Sequence, residues 1–248
     1  MQLSKILGVI LIALSVFFLG LQFKGLELEA FGIKALAMLL LLVLYFSTVR
    51  VKHPLFILFL VFFTAAEVFN YFTYDYFPDE DDTIDVYYII GNVLFICAYL
   101  FLIARIFTIM NFKKALVKFP FQILLLFGLG IFVVYMITDL QSSMFDFDLD
   151  YTYAIELFYN MVIMFLVSLA LVNYMYKDSK KSMNLLIGCI LIVFSEVIQI
   201  AYYYISNFDN TLNLAYSIFL VGAFVFFYFQ WRLIDEPESV YNYSELEA

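Results

Sequence analysis

The sequence predicts an all-α membrane protein, folded as a bundle of eight transmembrane helices. Apolar residues make up 65% of the 248 residues, charged residues make up 14%, and the mean hydropathy is +0.96. Soluble globular domains are about half apolar and about a quarter charged. Long apolar stretches also recur along the chain, each close to the roughly 20 residues that a helix needs to cross a bilayer. We therefore interpret the chain as an integral membrane protein.

Eight stretches come close to this length. They are residues 6–23, 30–47, 55–72, 86–107, 119–137, 153–176, 185–205 and 212–233. A backbone in lipid must satisfy its own hydrogen bonds, so stretches of this length are predicted to be helices. Together they form one transmembrane domain, residues 1–234, followed by a short acidic tail, residues 235–248. No small-residue cleavage motif follows Gly20, so we expect the first helix to be uncleaved.

The basic residues predict the orientation of the bundle. With the N-terminus inside, eleven of the thirteen Lys and Arg residues fall at cytoplasmic helix ends, and only Lys24 and Lys34 fall on the other side. The eleven are Lys5, Arg50, Lys52, Arg105, Lys113, Lys114, Lys118, Lys177, Lys180, Lys181 and Arg232. Both termini are therefore predicted to be cytoplasmic, and the expected location is a bacterial cytoplasmic (inner) membrane.

The external connections carry acids instead of bases. These are Glu27 and Glu29, then Asp75, Asp79 to Asp82 and Asp85, and then the segment from Asp139 to Asp150. We interpret them as solvated loop charges.

A short internal similarity predicts a parallel repeat of four plus four helices. The third stretch contains Glu-Val-Phe-Asn at 67–70, and the seventh contains Glu-Val-Ile-Gln at 196–199. Because four helices separate these segments, the two halves would be related by an axis along the membrane normal.

Ionisable side chains inside the predicted spans are the candidate functional residues, because a charge in mid-bilayer costs several kcal/mol by most scales. Glu67 lies about 18 Å and Glu196 about 17 Å from the cytoplasmic ends of their predicted helices, so the two acids share a depth. Lys34 and Glu156 lie about one turn below the outer surface. Two carboxyl groups in one low-dielectric pocket are expected to differ in protonation, which would supply an acid and a base.

Each acid begins a polar helix face. The residues three or four positions further on are Asn70 and Tyr71 after Glu67, Asn160 after Glu156, and Gln199 after Glu196, with Tyr203 one turn beyond. Faces this polar are expected to avoid lipid, so the third, sixth and seventh helices should line an interior cavity.

No metal, no cofactor and no nucleophilic triad are expected. His53 is the only histidine and lies in a cytoplasmic loop, which argues against a Ser-His-Asp triad within the membrane. Cys97 and Cys189 lie in apolar stretches and are interpreted as small core residues. The basic residues are scattered over several loops, so nucleic acid is not an expected partner.

Several segments share the spacing of motifs from one known family. Gly-Cys-Ile-Leu-Ile-Val-Phe-Ser-Glu at 188–196 is similar to a Gly-x-x-Leu-Phe-x-x-Ser-Asp segment, and Ala66-Glu67 stands at the place of a Gly-Asp pair. The stretch beginning at Lys34 is similar to a Lys-Pro start. On these segments the chain resembles the YhhN-like lysoplasmalogenase family of eight-helix membrane proteins. It departs from that family in having glutamates for both aspartates, and Tyr99 where the family tends to have histidine.

The resemblance implies cleavage of the vinyl ether bond of lysoplasmalogens to a fatty aldehyde and a glycerophospho-base. Glu67 and Glu196 would be the catalytic acid and base, with the assignment between them open. The implied substrate-binding residues are Lys34, Asn70, Tyr71, Glu156, Asn160, Gln199 and Tyr203. The expected partner is a membrane lipid or lysolipid.

Two other functions stay open at this point. A non-catalytic YhhN-like subunit or lipid-binding scaffold of an envelope assembly, with a membrane protein as partner, would use the buried acids only to pair with Lys34 or to cross-link helices. A proton-coupled carrier would use Glu67 and Glu196 as relays, although few helix-breaking residues interrupt the spans as in many transporters. The oligomeric state is not predicted.

Overall fold

The computed structural model describes residues 2–49, 52–74, 83–144, 150–204 and 210–233, and these residues form nine helices. The helices are α1 (Gln2–Phe23), α2 (Glu27–Thr48), α3 (Pro54–Thr73), α4 (Thr83–Ile109), α5 (Phe112–Lys118), α6 (Pro120–Met144), α7 (Asp150–Lys177), α8 (Lys180–Tyr204) and α9 (Asn210–Arg232). All except the short α5 are long and apolar enough to cross a membrane. The chain is an all-α integral membrane protein with an eight-helix bundle, as predicted.

Local chemistry sets where several helices begin. Pro54 and Pro120 are the first residues of α3 and α6, where the missing N–H of proline costs no helical hydrogen bond. Asn111 caps α5, which was not predicted, by accepting a hydrogen bond from the backbone N–H of Lys114 at 3.2 Å. Gly25 turns the chain between α1 and α2 with a φ of 69°, a conformation that glycine adopts without strain.

Seven of the spanning helices form a closed ring, and α6 lies outside it. Around the ring the neighbours are α1, α2, α3, α4, α7, α8 and α9, and α9 packs against α1 to close it. α6 packs mainly against α7. Only 11% of the apolar window of α6 is buried, compared with 39–50% for the ring helices other than α1. The seven ring helices therefore line the interior of the bundle, and α6 does not.

The two predicted four-helix halves pack against each other differently at their two junctions. In each half, consecutive spanning helices pack against one another. Between the halves, α1 packs against α9, whereas α6, its counterpart, makes no comparable packing against α4 in the residues that the structure describes. The four-plus-four repeat stays a prediction.

The inner half of the ring is filled by apolar side chains, among which an aromatic group stands out. We call the end of the bundle that holds Gln2 and Arg232 the inner end, following the predicted orientation, and the opposite end the outer end. Five phenylalanines on α3 and α9, which we call the aromatic plug, are 0–8% exposed and have neighbouring ring centroids 5.0–6.3 Å apart. They are Phe56, Phe59, Phe63, Phe224 and Phe227.

Arg105 lies against the inner face of this plug. Its guanidinium lies 4.5 Å from the centre of the Phe56 ring and donates a hydrogen bond to Oε1 of Gln230 at 3.0 Å. The side chain is 7% exposed, so Arg105 is part of the packed interior rather than a charge at a helix end. Stacking on an aromatic face is a favourable way to bury a guanidinium.

His53 lies beside this cationic region, just before α3. One ring nitrogen, Nε2, lies 3.3 Å from Oγ1 of Thr108. Partial burial lowers the pKa of His53, and the positive charges of Arg105 and Lys181 lower it further.

We expect acidification to weaken the fold through His53. The imidazole of His53 has a pKa of about 6.5 in the unfolded chain and a lower pKa in the folded chain. As the pH falls through 6.5, the unfolded chain therefore binds a proton more readily than the folded chain, and the folded state loses stability. Thermal unfolding in detergent should show that wild type loses more stability than His53→Gln between about pH 7 and about pH 5. Equal losses in both proteins would contradict this role.

We also expect the contact between α8 and α9 to be intolerant of added volume. A Cβ atom at Gly188 would lie 2.5 Å from Cε1 of Phe227, whose ring is held within the plug. Gly188→Ala should therefore lower the free energy of unfolding by about 1–3 kcal/mol. The fluorescence of Trp231, the only tryptophan, can follow the transition.

The matched control for this substitution is Gly128→Ala on α6, where an added Cβ meets nothing within 4 Å. That variant should be as stable as wild type or more stable by up to about 1 kcal/mol, because alanine is the better helix former. Equal effects of the two substitutions would show that the packing at Gly188 is not as tight as the structure indicates.

Candidate functional site

An ion pair connects α2 and α3 inside the ring. Nζ of Lys34 lies 2.7 Å from Oε2 of Glu67, and the two side chains are 8% and 2% exposed. The ammonium also lies 4.7 Å from the centre of the Phe31 ring, one turn away on the same helix. Glu67 follows Phe63 by one helical turn, so the pair sits directly above the aromatic plug. The structure thus brings together two residues that the sequence singled out on different helices.

A second group of contacts surrounds Glu196 of α8. The hydroxyl of Tyr99, on α4, donates a hydrogen bond to Oε1 of Glu196 at 2.6 Å. Tyr159, on α7, lies close enough to interact electrostatically with both Glu196 and Tyr99. Both tyrosines are buried, and their ring centroids are 6.0 Å apart. Three helices therefore meet at this carboxyl group.

These two groups belong to one electrostatic unit. Glu196 interacts with the charges of both Glu67 and Lys34, and Glu156, which is 4% exposed, interacts with Glu196. We call these four residues the carboxylate cluster. Counted along their helices, all four lie about 9–12 Å from the outer helix ends, which matches the shared depth expected for the two acids.

Tyr216 of α9 extends the cluster toward α1. Its ring centre lies 6.0 Å from Nζ of Lys34, and its hydroxyl accepts a hydrogen bond from Nε2 of Gln22 at 3.0 Å. Its backbone oxygen accepts a hydrogen bond from Oγ of Ser195, the residue before Glu196, at 3.0 Å. All the ring helices thus contribute a side chain to this polar half of the interior.

Four of these residues were not predicted from the sequence. They are Gln22, Tyr99, Tyr159 and Tyr216. Tyr159 had a usable signal, because it follows Glu156 by three positions and so lies on the same face. Tyr99 was noted only as a departure from the family pattern. Gln22 and Tyr216 carried no signal beyond being polar residues within or beside an apolar stretch.

Other predicted site residues have observed contacts with neighbouring helices. Asn160 donates a hydrogen bond to Oγ1 of Thr138, on the outlying α6, at 3.1 Å. Oδ1 of Asn70 lies 3.0 Å from where a Cβ of Gly91 would be, so Asn70 packs against α4. Tyr71 is 37% exposed and packs on Gly32 of α2. Their expected substrate-binding roles stay predictions.

The two remaining predicted residues lie further along α8. Gln199 is partly buried. The side chain of Tyr203 lies outside the part of the chain that the structure describes, as do the acidic segments 75–82 and 145–149 and the tail 235–248.

Glu27 differs from the solvated loop charge that was expected. It lies in the first turn of α2, where a negative charge is favoured. Oε2 of Glu27 accepts a hydrogen bond from the hydroxyl of Tyr74 at 3.0 Å, and Oε1 accepts one from Tyr202. Glu27 therefore joins α2, α3 and α8 at the outer end, two turns above Lys34. Glu29 is exposed, as predicted.

The cluster consists of carboxyl and amine groups, with phenols around it. In the described ranges, no group of three or more His, Cys, Asp and Glu side chains is arranged to hold a metal ion. A surface hollow of about 540 Å³ lies elsewhere, at the inner end, and is lined by residues 107–113 and Tyr176.

No protein-family model, curated protein or solved structure matches the chain. The carboxylate cluster is therefore the feature from which a function can be inferred.

We expect Lys34 and Glu67 to depend on each other for stability. Lys34→Met leaves a buried carboxyl group without its cation and should lower the free energy of unfolding by about 3–5 kcal/mol. Lys34→Met/Glu67→Met replaces both charges by apolar side chains and should recover most of this loss. Thermal unfolding in detergent measures both variants.

The control is Lys24→Met, which removes an exposed lysine near the outer end of α1 and should change stability little. A double variant less stable than Lys34→Met would mean that the two side chains do not act as a pair.

Proposed function

We propose that the protein is a lipid-directed membrane hydrolase of the lysoplasmalogenase type, which cleaves a vinyl ether bond in a lysolipid. The observation that carries the proposal is that Glu67 and Glu196 interact in one interior region but have different partners. Glu67 faces an ammonium group, whereas Glu196 faces two phenols. Two carboxyl groups held in unlike surroundings are the arrangement that acid–base catalysis uses.

The contacts suggest a role for each acid. Glu67 suits the general base, because the ammonium of Lys34 offsets its negative charge. Glu196 suits the general acid, because its hydrogen-bond partner is the neutral hydroxyl of Tyr99, which can hold its carboxyl in one orientation. Tyr99 and Tyr159 would then be positioning residues.

The reaction uses one water molecule and no other reactant. Glu196 donates its proton to the vinyl carbon further from the ether oxygen, which forms a C–H bond and leaves an oxocarbenium ion. Water adds to the carbon next to the oxygen while Glu67 takes a proton from the water. The resulting hemiacetal breaks its C–O bond to the glycerol, giving an aldehyde and an alcohol, and the proton on Glu67 returns to Glu196. Each proton transfer of this kind contributes about 10²–10⁴-fold to a rate.

The family resemblance supports the proposal at particular positions. Lys34, Glu67 and Glu196 stand at motif positions of the YhhN-like family, and these three residues lie in one cluster. Tyr99 replaces a histidine of the family pattern, and it donates the hydrogen bond to Glu196. The substitution therefore falls on a side chain that touches the proposed acid.

We place the protein in a bacterial cytoplasmic membrane, where the lipid substrate would also lie. The predicted excess of basic residues at one end of a helical bundle supports this orientation and location. Detection of the protein in the inner-membrane fraction of a bacterial host would test the location.

A non-catalytic lipid-binding scaffold is the second candidate. It is favoured by the Lys34–Glu67 ion pair, which by itself cross-links α2 and α3. A scaffold of this kind would bind lysolipid without converting it. The proposed carrier has less support, because the aromatic plug closes the inner half of the ring.

We expect purified protein to release a fatty aldehyde from a lysoplasmenyl lipid. Glu67→Gln and Glu196→Gln should each lower kcat by about 100-fold or more, because an amide can neither donate nor accept the proton. Coupling the aldehyde to a dehydrogenase gives a continuous readout, and size-exclusion chromatography confirms folding.

The control variant is Glu29→Gln, which changes an exposed glutamate at the outer end and should keep full activity. Absence of aldehyde from wild type would reject hydrolysis of this substrate, and bound but unconverted lysolipid would favour the scaffold. Full activity in both glutamine variants would place the chemistry on other residues.

A further inference from the structure

The carboxylate cluster lies closer to one end of the bundle than to the other. Glu67 lies about 9 Å from the outer end of α3 and about 20 Å from its inner end. Glu196 lies about 12 Å from the outer end of α8 and about 24 Å from its inner end. The cluster is therefore at the depth of the outer leaflet.

The route from the inner end to the cluster is closed by packed apolar side chains. The aromatic plug starts one turn below Glu67 and continues to Trp231, whose ring centre lies 5.1 Å from that of Phe56 and 4.7 Å from that of Tyr45. Moving a charged headgroup through such a layer without hydrogen-bond partners costs several kcal/mol or more. A lipid headgroup or a hydrated ion is therefore not expected to cross it.

The outer half of the ring carries polar side chains instead. Glu27, Phe31 and Lys34 follow one face of α2 downward from the outer surface, with spacings of four and three residues. Tyr74 and Tyr202 reach Glu27 at the top of this face, and the cation of Lys34 lies below it. Polar groups thus lie both at the outer end and at the cluster, and a single phenylalanine ring, Phe31, separates them on this face.

The three acids differ in burial. Glu67 and Glu156 are 1% and 4% exposed, whereas Glu196 is partly buried. Glu196 is therefore the least enclosed of the three carboxyl groups and the one chosen for the test below.

We infer that the cluster is reached only from the outer face of the membrane, so that the substrate is a lipid of the outer leaflet. The water-soluble glycerophospho-base is then released on the outer side, and the fatty aldehyde stays in the bilayer. The identity of the substrate rests on the proposed function, whereas the sidedness of access is a property of the fold.

The test places a cysteine at the position of the acid. Glu196→Cys is made in a Cys97→Ala/Cys189→Ala background, which removes both native thiols. The probe is a trimethylammonium methanethiosulfonate, which is cationic and does not cross membranes. It is added to sealed right-side-out vesicles or to sealed inverted vesicles, and the protein is analysed by mass spectrometry.

We expect labelling from the outer face to be at least about tenfold faster than from the inner face, because the probe cannot cross the apolar plug. Two exposed positions serve as controls. Glu29→Cys at the outer end should be labelled only in right-side-out vesicles, and Thr108→Cys at the inner end only in inverted ones. Labelling of Glu196→Cys from the inner face, or from neither face while both controls react, would overturn the inference.

A second arm measures turnover. Lysoplasmenyl lipid is added to one side of sealed vesicles containing wild type, and the headgroup product is measured inside and outside. We expect turnover of lipid supplied at the outer face and product on that side, and equal turnover of lipid from both faces would overturn the assignment to the outer leaflet. If labelling is one-sided but no aldehyde forms, the proposed hydrolase is rejected and the sidedness of access stands.

Discussion

The structure depends on the burial of one ion pair. Lys34 and Glu67 are held at 2.7 Å inside an apolar ring, where either charge alone would cost several kcal/mol or more. Each therefore requires the other, and α2 and α3 are tied at one register and one depth. The remaining polar side chains of the outer half have to be arranged around this pair, because a polar group buried without partners is also costly. Tyr216 lies beside the ammonium, and Glu196 lies within reach of both charges.

The division of the interior follows from the same constraint. Polar groups inside a membrane protein are satisfied most cheaply when they partner one another, so they are expected to gather in one region. Here most of them gather in the outer half, and the inner half is packed mainly with apolar side chains, including the aromatic plug. Arg105, at the inner face of the plug, is accommodated by stacking on Phe56 and by the amide of Gln230. From the outer to the inner end, the interior thus contains first the carboxylate cluster, then the aromatic plug and then Arg105.

The sequence predicted the helices and the depth of the acids, because both depend on position along one chain. Apolar length locates a spanning helix, and a rise of 1.5 Å per residue converts residue numbers into depth. Which side chains meet across helices depends on packing, which a single chain position does not encode. The contact of Tyr99 with Glu196 and that of Tyr216 with Lys34 could therefore not be derived, nor could the position of α6 outside the ring. The two tyrosine partners of Glu27 are Tyr74 and Tyr202, which come from distant parts of the chain. Their approach to Glu27 could not be foreseen, so the sequence indicated a solvated charge.

In the proposed hydrolase, Tyr99 stands where the family pattern that the chain resembles tends to have a histidine. A histidine beside Glu196 could carry a positive charge, whereas a phenol remains neutral and offers one O–H donor. The carboxylate cluster, as described, contains three carboxyl groups and one cationic group, the ammonium of Lys34. Since Lys34 touches Glu67, the negative charge of Glu196 would have no cation in direct contact with it. For the proposed reaction, a carboxyl group in that position is better suited to hold a proton and release it to substrate than to stay ionised, and for this reason the proposal takes Glu196 as the acid and Glu67 as the base.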